Sequence, residues 1–193
     1  NGKLDRVIDG IDAAIAAGFE RIKINAVILK QQNDNEVIDL VDFCRGRNLD
    51  IAFIEEMPLG EMDERKRARH CSSDEVKAII NSHYPLQLSN KRTGGPARYY
   101  TMADSPIHIG FISPHSHNFC HECNRVRVTV EGQLLLCLGN EHAVDLKSIV
   151  REFPADIERL KVAILAGINL KPKQHDFGNN QVQILRFMNA TGG

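Results

Sequence analysis

Three cysteines constrain this chain more than any other feature. Cys120, Cys123 and Cys137 stand in the run FCHECNRVRVTVEGQLLLCLG, spaced Cys-x2-Cys-x13-Cys. Cys-x2-Cys is the tightest spacing at which a turn aims two thiolates at one soft metal centre. The stretch before the third cysteine has room for a strand, a turn and a second strand. Residues 126–130 alternate apolar with polar, Glu131-Gly132 supplies the turn, and residues 133–136 read as the returning strand. Folded so, Cys137 comes back beside the first two cysteines.

A structural zinc site is closed by four protein ligands, and a 4Fe–4S cluster usually takes four cysteines. Three thiolates leave one coordination position for a histidine, a water or a substrate. His115, His117 and His121 are close in sequence and could complete a Cys3His zinc site, although none has zinc-finger spacing. Three ordinary buried cysteines are the bland alternative, which the spacing disfavours. Metal binding follows from the spacing; the identity of the metal does not.

With 193 residues, the chain can build one large domain or two small ones. Its formal net charge of −1 gives no global support for nucleic-acid or membrane-surface binding. No apolar run reaches the length of a membrane span, and the first residues lack the pattern of a signal peptide. Five cysteines, an odd number without a secretion signal, point to a reducing cytoplasmic setting and metal ligation. Cys44 reads as a packed thiol within a helix, and Cys71 as a loop residue ahead of one. The chain opens on a helix, with Leu4, Val7, Ile8, Ile11 and Ile15 at helical spacing and Gly18 as its stop. It reads as a piece of a longer protein.

Two β/α units follow: a strand over 21–29, a helix over 35–47, a strand over 51–55 and a helix over 73–83. This order predicts parallel strands, with active-site loops after their C-terminal ends. From Pro85 onward, prolines and Gly94-Gly95 punctuate short apolar runs, as antiparallel hairpins do. A capped segment over 145–153, a helix over 155–167 and a polar end with a helical patch near 181–188 complete the chain. The expected class is α/β: the last β/α units of a partial (β/α) barrel over residues 1–84, then an antiparallel β plus α domain over 85–193 carrying the metal.

A few side chains break their local pattern. Lys23 and Asn25 share one face of the first strand. They point either to partners inside a barrel or to solvent from an edge strand. Arg125 and Arg127 share a strand face about 7 Å apart just after the Cys-x2-Cys turn, a fork suited to a phosphate chain. A salt-bridged sheet surface is their alternative. Met57, directly after the strand IAFIEE, reads on its own as packing. The basic run ERKRARH reads as a solvated loop or helix start.

The cysteine run, preceded by IGFISP and joined by KINAVIL, IEEMPLGE, GPARYY and a terminal Gly-Gly, resembles the C-terminal half of the molybdenum cofactor biosynthesis protein A family. These are the GTP 3′,8-cyclases of the radical S-adenosylmethionine superfamily, and the likeness runs through almost all of the chain. It implies a 4Fe–4S cluster on Cys120, Cys123 and Cys137, with one iron open to the guanine of GTP. Arg125 and Arg127 would meet the GTP phosphates, Lys23 would also contact GTP, and Met57 would lie against S-adenosylmethionine. Gly192 and Gly193 would reach into the active site as a tail without side chains. The product would be 3′,8-cyclo-7,8-dihydro-GTP, on the way to molybdopterin.

The family's second 4Fe–4S cluster, which cleaves S-adenosylmethionine, needs a Cys-x3-Cys-x2-Cys run that this sequence does not contain. The chain alone is therefore expected to be inactive. GTP as substrate, a homodimer and the next enzyme of molybdopterin synthesis are the expected partners. A non-enzymatic, zinc-stabilised module that binds a nucleotide or a protein is the competing reading.

Overall fold

Strands predicted from hydrophobic runs gather into two sheets in the computed structural model, which describes residues 2–59, 63–175, 186 and 191. One unit comprises Asn1–Glu56 with Arg69–Ser116, the other Met57–Ala68 with His117–Gly193.

The first unit opens with α1 (Leu4–Ala16), which ends where the Gly18 N–H bonds the Ile15 carbonyl at 3.0 Å. β1 (Lys23–Val27), α2 (Val37–Arg47) and β2 (Asp50–Ile54) follow. A short α3 (Glu64–Ala68), sorted with the second unit, holds much of the basic run and buries none of it. α4 (Ser73–His83) then precedes β3 (Leu86–Leu88), β4 (Arg98–Met102) and β5 (Ser105–Ile112). The sheet runs in the order β1-β2-β5-β4-β3. β1 and β5 flank β2 in parallel, as the crossover through α2 requires of the first pair. β4 pairs antiparallel with both β5 and β3. The change of character at Pro85 thus marks a switch from parallel to antiparallel pairing within one sheet.

β2 lies inside the sheet, between β1 and β5, and Ile51, Ala52 and Phe53 on its two faces are buried. Val37 and Val41 of α2 and Val76 and Ile80 of α4 pack in one core with Ile51 and Phe53, each such side chain contributing about 1.5–3 kcal/mol by leaving water. Cys44 and Cys71 are both part of this core. Cys71 stands in the loop ahead of α4, as expected, with its side chain packed into the core. Burial pushes the Cys44 thiol up to about 11.

In the second unit, β6 (Arg127–Val128), β7 (Gln133–Leu135) and β8 (Ala143–Asp145) form an antiparallel sheet. The expected turn closes on Gly132, whose φ of +76° favours glycine. Its carbonyl accepts the Leu146 and Lys147 N–H groups at 3.0 and 3.2 Å. α5 (Leu146–Glu152) is capped by Asp145, which accepts the Ser148 N–H at 3.1 Å. α6 (Ile157–Asn169) packs Leu160, Ala163 and Ile164 against Leu134, Leu136 and Leu146. The alternation over 126–130 holds with its apolar side outward: Val126, Val128 and Val130 are exposed, and Thr129 is buried. No described helix is long and apolar enough to cross a membrane.

Candidate metal and nucleotide site

The Cys-x2-Cys spacing becomes a single 3-10 turn, Cys120–Glu122. The Cys123 N–H bonds the Cys120 carbonyl at 3.1 Å, and the Glu122 N–H bonds the Phe119 carbonyl at 3.0 Å. An i to i+3 turn sets the first and fourth residues on one side, as two ligands of one centre require. β6 and β7 then return the chain, with Arg127 opposite Leu135 and Val128 opposite Leu134. Cys137 follows two residues after the last paired position.

Cys137 is an electrostatic neighbour of the other two thiols. Burial pushes its thiol up most, and the charges of Cys120 and Cys123 act in the same direction. The Gly139 N–H, bonded to its sulfur, and the Lys171 ammonium act oppositely. Three thiols, the Gly139 N–H and the Lys171 ammonium are of the chemical kinds that iron–sulfur and zinc centres use. Among the described residues, no three Cys, His, Asp or Glu side chains converge closely enough to hold a metal ion. All five cysteines are free thiols.

The nearby histidines have other neighbours. His115 belongs to the first unit, where its N–H donates to Glu55 at 3.1 Å and its ring lies 5.0 Å from that of His70. His121 is exposed, its Nε2 3.7 Å from the Glu122 carboxylate.

Arg125 is exposed and Arg127 half-buried. Among the described residues neither guanidinium has a hydrogen-bond or ion-pair partner, so the salt-bridged surface finds no acid here. Both stand in the same unit as the three cysteines, interleaved with them along the chain. Lys23 belongs to the first unit, on an edge strand whose Lys23, Asn25 and Val27 side is exposed. Met57 is half-buried, its carbonyl accepting the Leu59 N–H at 2.8 Å. Gly192 and Gly193 lie outside the described residues. Arg186 is described, and its side chain forms an ion pair to Glu141 at 3.1 Å and donates a hydrogen bond to the Asn140 carbonyl.

Glu55, at the end of β2, escaped the sequence reading. It is 2% exposed, yet carries a carboxylate. Burial acts to raise its carboxyl. The Ser116 hydroxyl, the Ser73 N–H at 2.8 Å, the Ser116 N–H at 3.0 Å and the His115 N–H outweigh that effect and hold it below the ordinary carboxylate value. Ser73 is the first residue of α4, so the anion also sits at a helix N-terminus. The repeated acid in IEEMP and the following SS pair are visible in the sequence, but their meeting is not.

Residues 49–177 match the family Molybdenum Cofactor Synthesis C. A GTP 3′,8-cyclase of Marinobacter nauticus is 56% identical over 194 residues, covering 100% of this chain and 59% of that protein. GTP 3′,8-cyclase 2 of Pseudomonas aeruginosa is 56% identical over 193 residues, with 99% and 58% covered. A GTP 3′,8-cyclase of Pseudomonas entomophila is 57% identical, with 100% and 58% covered. The chain thus spans somewhat under three fifths of the length of these relatives.

Proposed function

The chain belongs to the Molybdenum Cofactor Synthesis C family, and we propose that it is the C-terminal part of a GTP 3′,8-cyclase, supplying the substrate-binding cluster and the phosphate contacts of that reaction. The observation that carries this reading is the placement of three thiols and two guanidiniums, the latter without a partner among the described residues, in one unit, with both arginines between Cys123 and Cys137 along the chain. Cys120, Cys123 and Cys137 would hold a 4Fe–4S cluster. When bound, such a cluster with three protein ligands supplies an iron with an open position for the guanine base.

The protein's own residues have simpler tasks. Arg125 and Arg127 hold phosphate oxygens by charge-assisted hydrogen bonds, whose geometry guanidinium matches. Lys23 adds a point charge to the nucleotide, and Met57 packs against S-adenosylmethionine. Gly192 and Gly193, lacking Cβ atoms, enter the active site where any larger residue would clash. Cleavage of S-adenosylmethionine belongs to the part of such an enzyme that this chain does not span, which includes the earlier strands of a partial barrel continued by β1 and β2. A homodimer and delivery of the cyclic product to the next enzyme of molybdopterin synthesis complete the proposal. The zinc-module reading gains no support from relatives named as cyclases.

The test separates phosphate recognition from base recognition. Arg125→Ala or Arg127→Ala should weaken GTP binding to the iron-loaded protein by about 1.5–3 kcal/mol, the range for a hydrogen bond to a charged group. Guanosine binding should barely change. Equal losses for GTP and guanosine would assign these arginines to maintenance of the hairpin.

A further inference from the structure

The cysteine hairpin has an open end that its own strands do not close. Its ladder pairs only Arg127 with Leu135 and Val128 with Leu134. Cys123 precedes β6 and Cys137 follows β7, so both ligands stand beyond the last rung. Two backbone carbonyls at that open end share one cation. The Lys171 ammonium donates to the Arg125 carbonyl at 2.9 Å and to the Leu136 carbonyl. The first carbonyl lies two residues after Cys123, and the second directly precedes Cys137.

The fold delivers Lys171 to this place. Its N–H bonds the Ile168 carbonyl at 3.0 Å as α6 ends. Four residues earlier, Gly167 lets that helix lie against β8: a Cβ there would come within 2.8 Å of Val144 Cγ2. Moving the helix outward would carry Lys171 away from both carbonyls.

We propose that Lys171 is a positioning residue for the three-thiolate site, its ammonium clamping the two arms of the hairpin and setting a positive charge beside Cys137. This rests on the cluster reading above. A clamp of this kind acts as the outer partners of metal ligands do, holding the ligands in place without touching the metal. Its charge also opposes the extra negative charge that a cluster takes on when reduced, which raises the reduction potential. A lysine that merely closed the end of α6 would do neither.

The experiment compares the iron-loaded wild-type chain with Lys171→Met, Lys171→Gln and Lys171→Arg, each checked for folding by far-ultraviolet circular dichroism. Two quantities are read: the rate of iron loss to a chelator and the midpoint potential. Lys171→Met and Lys171→Gln should lose iron about 10–100-fold faster, the usual cost of removing an outer partner, and show a more negative potential. Lys171→Arg, which keeps the charge, should return the potential to the wild-type value. Should Lys171→Met fold poorly, Lys171→Gln gives the same reading with a polar side chain. Wild-type iron retention and potential in the neutral variants would overturn the inference while leaving the cluster in place. A wild-type chain that takes up no iron would instead overturn the cluster reading, and this inference with it.

Discussion

The Glu55 carboxylate accepts both the N–H of Ser116, at 3.0 Å, and its hydroxyl across a sequence separation of 61 residues. The same carboxylate holds the first N–H of α4 through Ser73. One buried anion therefore joins the end of β2, the start of α4 and the segment leading from β5 toward the cysteines.

Glu55→Gln should destabilise the first unit by about 1.5–3 kcal/mol near neutral pH, measured by urea denaturation, because a charged acceptor of several bonds becomes neutral. The pH dependence has a definite sign. The folded carboxyl titrates below its ordinary value of 4.5, so its stabilisation is present above that pH and fades as pH falls through the folded value. The gap between wild type and variant should narrow below about pH 4. An equal gap at pH 3 and pH 7 would show that ionisation of Glu55 is irrelevant.

Gly132→Ala should cost more than about 1 kcal/mol, because it forces a side chain onto a positive φ. The added Cβ would also lie 2.7 Å from the Lys147 Cβ, at the place where the Gly132 carbonyl caps α5. A lowered melting temperature and faster iron loss should appear together, since the turn sets how Cys137 returns. A variant as stable as wild type would mean that the turn relaxes freely.

The elements that sequence reasoning found are those whose causes are local. Ser72 and Glu75 form a reciprocal capping box, so the start of α4 was legible at Ser73. Glu131-Gly132 gave away the hairpin turn, and the tight cysteine pair its 3-10 turn. What stayed hidden depends on distant partners. Alternation showed two faces in NRVRVTV, but only the packing of α6 on Leu134 and Leu136 shows that the valines face outward. Glu55 and Lys171 look like ordinary charged residues until residues 61 and 46 positions away meet them. The union of β3 and β4 with the parallel strands was equally non-local, because it is set by the pairing of β5 with β2.

The terminal glycines give a prediction that the arginine and cysteine variants do not. In an enzyme with the full length of the relatives, Gly192→Val with Gly193→Val should abolish cyclisation of GTP while iron content stays unchanged. An extension beyond Gly193 should do the same. Native cyclisation by a C-terminally tagged enzyme would remove the tail from the site.

The central claim is that Cys120, Cys123 and Cys137 together hold one iron–sulfur cluster. Anaerobic reconstitution with iron and sulfide, followed by iron and zinc analysis, tests it most directly. The account predicts a brown protein with about four irons per chain, the stoichiometry of a 4Fe–4S cluster. Cys120→Ala, Cys123→Ala and Cys137→Ala should each lose it, while Cys44→Ala and Cys71→Ala, altered in the core of the other unit, should keep it. Stoichiometric zinc with no iron uptake, or iron retained in all three ligand variants, would contradict the account.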